Sequence, residues 1–351
     1  MATERRTHGH TQPSMADVAA HAGVALGTVS NTLNSPQKVT ERTRRRVLAS
    51  IAELGFVRND AARFLAAGTS TAVGLVVADL GNSFFVDIAR GAEKVMRRQG
   101  LNVMIVNSDI DPDREIRNLQ LFEQARVAGI ILAPLDTPLI RSEHLPLQRT
   151  PTVLVNFESP SHAYAGVVVN ERHGGALAAR HLLDLGRRRL LFAGGPLFLG
   201  AVKERYDGAS AAVREAPHAS LDVLETRGLN IRHGRQLAQQ ILAMGPGRYD
   251  GIIAAADLLA IGLIETLSQT DGFRVPDDVA ITGYDNNHFA SESAIPITTV
   301  SQPGEEMGSA AADLLLDRIA NPESPRETVT LEPHLISRRS SLGDIWQRDQ
   351  V

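Results

Sequence analysis

The residues with the most chemistry to offer lie in Ser14-Met-Ala-Asp-Val-Ala-Ala-His-Ala-Gly-Val-Ala-Leu-Gly-Thr-Val-Ser-Asn-Thr-Leu-Asn34. Ser14 followed three residues later by Asp17 is a capping-box pattern, and Val18, Ala19 and Ala22 then fall on one helical face. Gly23 ends that helix. A second helix from about Leu26 to Leu33 turns Val24, Val29 and Leu33 towards the first and Leu26, Gly27, Ser30 and Asn31 outward. Such a face of small and polar residues suits the major groove of DNA, which admits one helix and displays base edges to short side chains. Two helices joined this way are also an ordinary packing unit, so the pattern gains weight from its neighbours.

Those neighbours are cationic. A third helix is expected from Thr40 to a C-cap at Gly55, with Val47, Leu48, Ile51 and Leu54 inward and Arg42, Arg44, Arg45 and Arg46 outward. The 351 residues carry 36 Lys/Arg against 40 Asp/Glu, a net charge of −4. Residues 1 to 70 hold nine Lys/Arg against five Asp/Glu, so this end is +4 and the remaining 281 residues are −8. Attraction for phosphate is therefore concentrated in a small N-terminal module on an acidic body.

Phe56 to Ser70 is an alanine-rich stretch that reads as a linker able to become a helix. From Val73 onward, short apolar runs alternate with amphipathic helices, the mark of a mainly parallel sheet covered on both faces. Val73–Ala78, Asn102–Asn107, Gly129–Ala133, Thr152–Asn156 and Ala165–Val169 are expected strands, with helices at Phe85–Gln99, Asp113–Arg126 and about 138–149. A second series repeats the pattern from Gly174 to Gly283. Two similar halves imply two lobes, and ligands of open α/β sheets settle at the carboxyl ends of the strands. The fold class is thus an all-α helix-turn-helix headpiece plus an α/β core of two doubly wound parallel-sheet lobes.

The chain resembles the lactose-repressor (LacI/GalR) family of bacterial transcriptional regulators from about Met15 to Ser341. The resemblance is carried by Asp17-Val-Ala-Ala-His-Ala-Gly-Val, Gly27-Thr-Val-Ser, Asn59-Asp-Ala-Ala-Arg-Phe-Leu, Asn82-Ser-Phe-Phe, Ala193-Gly-Gly-Pro, Arg205-Tyr-Asp-Gly, Pro276-Asp-Asp-Val-Ala-Ile-Thr-Gly-Tyr-Asp-Asn286, Thr298-Thr-Val-Ser-Gln-Pro303 and Leu335-Ile-Ser-Arg-Arg-Ser340. It implies a periplasmic-binding-protein-like core and a homodimer, or a pair of dimers, that binds palindromic operator DNA as a repressor. A small, sugar-like effector in the inter-lobe cleft would switch it. By position, Leu26, Gly27 and Asn31 face bases, while Thr28, Ser30 and Asn34 contact the backbone. Asn31 suits adenine N6 and N7, and Leu26 suits a thymine methyl. Asn59, Ala62 and Leu65 fall in the family's hinge helix, with Leu65 the wedge between central base pairs. The resemblance assigns the effector cleft to Asn82, Phe84, Phe85, Asn156, Arg205, Asp257, Asp285 and Gln302.

The resemblance also implies a division into a tail (1–13), a headpiece (14–58), a hinge (59–70), an N-lobe (71–169 and 303–332), a C-lobe (170–302 and 333–343) and a final tail (344–351). Two departures bear on the effector. Ala256 stands where many sugar-responsive members show asparagine, and Leu229 where several show an aromatic residue. A co-repressor-dependent regulator answering to a nucleobase or other non-sugar metabolite is the alternative within the class, and a sugar-binding receptor without DNA function is the alternative outside it. Catalysis is not expected, since no Gly-x-Gly-x-x-Gly, Walker or Gly-x-Ser-x-Gly sequence occurs. No cofactor or metal is expected: the chain has no cysteine, and its eleven histidines lack ligand spacing. With no long apolar run and no apolar leader, no membrane partner and a cytoplasmic location are expected.

Overall fold

A computed structural model describes residues 13–56, 70–135, 150–159, 162–271 and 273–345, in two units divided between Thr69 and Ser70. The first unit contains α1 (Met15–Ala22), α2 (Leu26–Asn34) and α3 (Glu41–Leu54). The capping box is formed: the Asp17 amide donates to the Ser14 hydroxyl at 3.3 Å and the Ser14 amide to the Asp17 carboxylate at 2.7 Å. Gly23 and Gly55, both left-handed, end α1 and α3. Val18, Ala19, Ala22, Val29 and Val47 form the small core.

One expected core residue is not there. Leu48 is 41% exposed, and the inner face of α3 runs through Val47, Ser50, Ile51 and Leu54. Those positions follow the i, i+3, i+4, i+7 rhythm of one helix face, whereas Leu48 sits about 100° further round. Ser50 fits inside because its hydroxyl donates to the Arg46 carbonyl at 3.1 Å.

The second unit holds two six-stranded sheets. The first lobe is built from β1 (Ala72–Val77), α4 (Ser83–Arg98), β2 (Asn102–Asn107), α5 (Pro112–Ala125), β3 (Gly129–Leu132), β4 (Thr152–Val155) and β5 (Ala165–Val169). The second lobe follows with α6 (Glu171–Asp184), β6 (Arg189–Ala193), α7 (Gly200–Glu215), β7 (Ser220–Leu224), α8 (Ile231–Ala243), β8 (Gly251–Ala254), α9 (Asp257–Leu267), β9 (Ala280–Asp285), α10 (His288–Glu292) and β10 (Thr298–Ser301). The chain then returns: α11 (Gly304–Ala320) packs on α4 and under β3, β4 and β5, and β11 (Thr328–Leu331) joins the first sheet. It crosses again to place β12 (His334–Ile336) and α12 (Arg339–Leu342) on the second lobe.

The first sheet runs β11-β5-β4-β3-β1-β2 and is wholly parallel, while the second runs β12-β10-β9-β8-β6-β7 with only β12 antiparallel. Strand β1 shows why its residues read as one apolar run. Val73, Leu75 and Val77 pack towards α4 and α11, and Val76 packs towards α5 with Leu119 and Phe122. A strand covered on both faces has no polar side. Helix α4 begins two residues earlier than its apolar pattern predicts, because Asn82 caps it by accepting the Phe84 amide at 3.1 Å. The expected helix near 138–149 lies outside the described residues.

Glu115 on α5 is a buried carboxyl whose side chain accepts the Leu135 amide at 2.8 Å. Burial pushes its carboxyl from the ordinary 4.5 up to about 7, against the pull of that hydrogen bond. The folded chain therefore keeps a proton that the unfolded chain loses near pH 4.5, and this group's contribution to stability falls as pH rises from about 4.5 to about 7. Urea unfolding at a series of pH values should show a flatter profile across that window for Glu115→Gln than for the wild type, and equal slopes would contradict the assignment.

Candidate functional site

In the headpiece, α2 presents the expected outward face. Leu26 is 50% exposed, Gly27 and Asn31 are exposed, and Thr28 and Ser30 are half-buried. Thr32, on the inner side, is buried with its hydroxyl donating to the Thr28 carbonyl at 2.8 Å. Ala25 occupies the N-cap and supplies no side-chain hydrogen bond, so the first turn of α2 leaves amide donors pointing outward. A Cβ at Gly27 would meet nothing within 4 Å, so the glycine is not required by packing within this unit. On α3, Arg42, Arg44, Arg45 and Arg46 are all exposed, and Glu41 lies 3.5 Å from both Arg44 and Arg45. The side chain of Asn34, and all of Asn59, Ala62 and Leu65, lie outside the described residues.

In the core, four expected cleft residues, Asn82, Asp257, Asp285 and Gln302, come together with a fifth, the buried Arg205. Glycines at 175 and 208 let α6 and α7 touch, since a Cβ on either would run into the backbone of the other helix. That contact brings Glu171, in the first turn of α6, against Arg205 of α7. Arg205 donates through Nε and Nη2 to the two Glu171 oxygens at 2.8 and 2.9 Å, and through Nη1 to the Ala255 carbonyl at 2.7 Å. Its guanidinium lies 3.8 Å from the centroid of the Tyr284 ring. Asp285 approaches Nη1 to 3.6 Å, and its two oxygens accept from Gln302 at 2.7 Å and from Asn82 at 2.8 Å.

The Asn82 contact spans the lobes. Asn82 caps α4 of the first lobe, whereas Asp285 ends β9 of the second. The same seam holds the Asn287 side-chain amide donating to Asn82 at 3.1 Å and the His288 amide donating to the Ser83 hydroxyl at 2.9 Å. His288 also reaches Asp87 at 3.0 Å. Asp257 joins through the second lobe, its carboxylate accepting the Asn287 amide at 2.7 Å. Asp285 adopts φ +99°, a left-handed backbone that costs strain in a non-glycine residue and holds the carboxylate towards Asn82.

Burial opposes the charge on Arg205, but Glu171 and Asp285 outweigh it and hold the guanidinium firmly protonated. Burial pushes the Asp285 carboxyl up, with Arg205 offsetting part of the rise. Asp257, fully buried and beside Asp285, is pushed well above the usual carboxylate range for both reasons. Arg338 is held down by burial, with Asp257 the counterweight.

Three expected cleft residues stand apart. Phe84 and Phe85 are 3% and 8% exposed and sit in the first-lobe core, their rings 5.3 Å apart. Both rings pack in the cluster that β1, α4 and α11 share. Asn156 ends β4 at φ +60°, half-buried, its amide donating to Val167, and no described hydrogen bond ties its side chain to Asp285. Conversely, Glu171, Tyr284 and Asn287 belong to the cluster without having been singled out. Glu171 reads in sequence as an acid favouring a helix N-terminus, and only the α6–α7 contact reveals its partner.

Residues 14–59 match the family described as bacterial regulatory proteins, lacI family, and residues 179–341 match the periplasmic binding protein-like domain. The chain is 32% identical over 335 residues to the ribose operon repressor of Bacillus subtilis (strain 168), covering 93% of this chain and 97% of that one. A LacI family transcriptional regulator from Enterococcus faecium, solved with bound ribose, superimposes with a TM-score of 0.68 at 30% identity over 77% of this chain and 98% of that one. The Lac repressor dimer bound to operator superimposes with a TM-score of 0.79 over 94% and 99%, and at 22% identity that likeness speaks for the fold alone.

The buried pair makes Arg205 a stability determinant as well. Arg205→Ala leaves the Glu171 carboxylate buried without its partner and should cost about 3–5 kcal/mol in urea unfolding of the core. A double variant, Arg205→Met with Glu171→Leu, should cost less than that single one. A double variant as unstable as Arg205→Ala would show that the charges are not what the site resists losing singly.

Proposed function

The chain belongs to the lacI family of bacterial regulatory proteins, and from that premise we propose that it is a transcriptional repressor that binds a palindromic operator as a homodimer and is switched by a small sugar-like effector held between the lobes. Its output is occupancy of DNA rather than turnover of a substrate, and it acts in the cytoplasm, where the operator is. Among the described residues no helix is long and apolar enough to cross a membrane. The ribose named for the B. subtilis and E. faecium relatives favours a sugar over a nucleobase.

One observation carries the regulatory part: Asn82 of one lobe is hydrogen-bonded to Asp285 of the other, within the cluster that holds Arg205, Gln302 and Asp257. A ligand entering there must displace or bridge the bonds that join the lobes. It then has different affinity for the two lobe arrangements, which is the whole thermodynamic requirement for coupling. A neighbouring arginine, carboxylates and amides also offer the mixed donors and acceptors that adjacent hydroxyls need.

On the DNA side, the exposed Leu26 and Asn31 read the major groove, Thr28, Ser30 and Asn34 hold the backbone, and the basic outer face of α3 strengthens the attraction for phosphate. Residues 59–70 act as the hinge, with Asn59 and Ala62 in its helix and Leu65 as the minor-groove wedge. In mobility-shift titrations on a palindromic site from the protein's own upstream region, Asn31→Ala should weaken specific binding by about 1–3 kcal/mol and leave binding to unrelated DNA unchanged. Leu65→Ala should weaken the specific complex and reduce its bend, as read by circular-permutation shift. Full retention of affinity by both variants, or failure of the wild type to shift the site at moderate salt, would overturn the operator reading.

A further inference from the structure

We propose that Glu171 sets the charge preference of the inter-lobe site: it neutralises Arg205, so that the site accepts an uncharged, hydroxyl-bearing effector and refuses the same molecule once it carries a phosphate or carboxylate. The inference rests on reading this cluster as the effector site, and its test separates the two.

An exposed or singly engaged arginine fork is the usual device for gripping phosphate or carboxylate, because two parallel N–H groups match two anionic oxygens. In this chain that edge of Arg205 is occupied. Nε and Nη2 are both committed to Glu171, a residue only 8% exposed, and Nη1 is committed to the Ala255 carbonyl. The opposing face of the guanidinium lies against the Tyr284 ring. Glu171 alone balances the charge of Arg205. Asp285 adds a negative charge when ionised and none when protonated, so in neither state does this pair of carboxylates leave positive charge over.

The remaining hydrogen-bonding capacity points the same way. Gln302 is 6% exposed, its side-chain nitrogen donates to Asp285, and its oxygen has no hydrogen-bond partner. Each Asp285 oxygen accepts one bond from a protein side chain and can accept another. Acceptor capacity at Gln302 and Asp285 thus stands beside the second protons of the Gln302 and Asn82 amides and the Tyr284 hydroxyl, a mixed set that a neutral hydroxyl can match. A buried acceptor left unpaired is costly, and a hydroxyl supplies the missing proton while adding no charge. A phosphate or carboxylate supplies further acceptors and negative charge beside Asp285, where low dielectric magnifies the repulsion.

The test compares wild type with Glu171→Gln, which keeps the shape and two polar atoms but removes the charge; circular dichroism and the operator shift establish that the variant is folded. Two probes are read by thermal shift. The first is inorganic phosphate at millimolar concentrations: headpiece arginines bind it equally in both proteins, so the reading is the difference between them. Phosphate should stabilise the variant more than the wild type. The second is a pair of sugars each beside its ester, ribose with ribose 5-phosphate and glucose with glucose 6-phosphate. A wild type that binds a sugar should prefer it over its ester by about tenfold or more, and the variant should narrow that ratio. Phosphate acting alike on both proteins, or an ester binding the wild type as well as its parent sugar, would overturn the role of Glu171. If no sugar or ester shifts either protein while phosphate still favours the variant, the charge filter stands and the sugar reading of the site falls. Should Glu171→Gln not fold, Glu171→Met, near-isosteric and uncharged, gives the same comparison with the same expected and contrary outcomes.

Discussion

The structure of the core turns on one buried contact, the fork of Arg205 closed on Glu171. Two opposite charges taken out of water are tolerable only when geometry is good and the remaining donors are satisfied. Here helix packing supplies the geometry. Gly175 and Gly208 bring α6 and α7 close enough for the pair to form, the Ala255 carbonyl accepts a third N–H, and the Tyr284 ring covers the guanidinium face. Removing any one of these would leave a charge or a donor stranded in a buried site. The arginine is thus both a structural member of the second lobe and the anchor from which Asp285, Gln302 and Asn82 are arranged.

From that anchor the coupling between lobes follows. Asp285 is shared: one oxygen faces Gln302, where the chain leaves the second lobe, and the other faces Asn82, where α4 of the first lobe begins. Asn82 is shared as well, capping its own helix with one atom and bridging the lobes with another. Among the described residues, Asn82, Ser83 and Asp87 of the first lobe are hydrogen-bonded to Asp285, Asn287 and His288 of the second, and such bonds contribute about 1 kcal/mol each in net terms. Differences of a few kcal/mol are the scale on which a ligand can shift a two-state equilibrium, so a seam this small is suited to being rearranged.

The fold was legible in sequence wherever an element is decided locally. Apolar runs covered on both faces, a serine three residues before an aspartate, and glycines after apolar stretches fixed strands, caps and helix ends to within a few residues. Legibility failed where three dimensions decide. Leu48 reads as inward by hydrophobicity and lies outside by helix phase. Phe84 and Phe85 are ambiguous in one dimension between core and cleft, and the helix phase set by the Asn82 cap packs both rings in the first-lobe core. Glu171 could not be found at all from spacing, since its partner is 34 residues away and the link depends on two glycines whose purpose shows only in the packed helices. The family resemblance supplied Arg205, Asp257, Asp285 and Gln302 as a set; it supplied nothing about which of them already had partners.

The same distinction between having a group and having it free bears on how the headpiece chooses its site. α2 offers two side chains fit for base edges, Leu26 and Asn31, while Gly27 has none and Ala25 cannot cap. Two contacts, each worth about 1–3 kcal/mol against a wrong base, are few for a site that must be found among a genome of competitors. Symmetry doubles them if two copies bind a palindrome, yet the remaining discrimination must come from elsewhere. The cost of deforming the central step, paid where Leu65 is proposed to insert, depends on which bases are being unstacked and so reads sequence without touching an edge. On the proposed reading, a headpiece poor in base-reading side chains and a wedge at the hinge would be two halves of one recognition strategy.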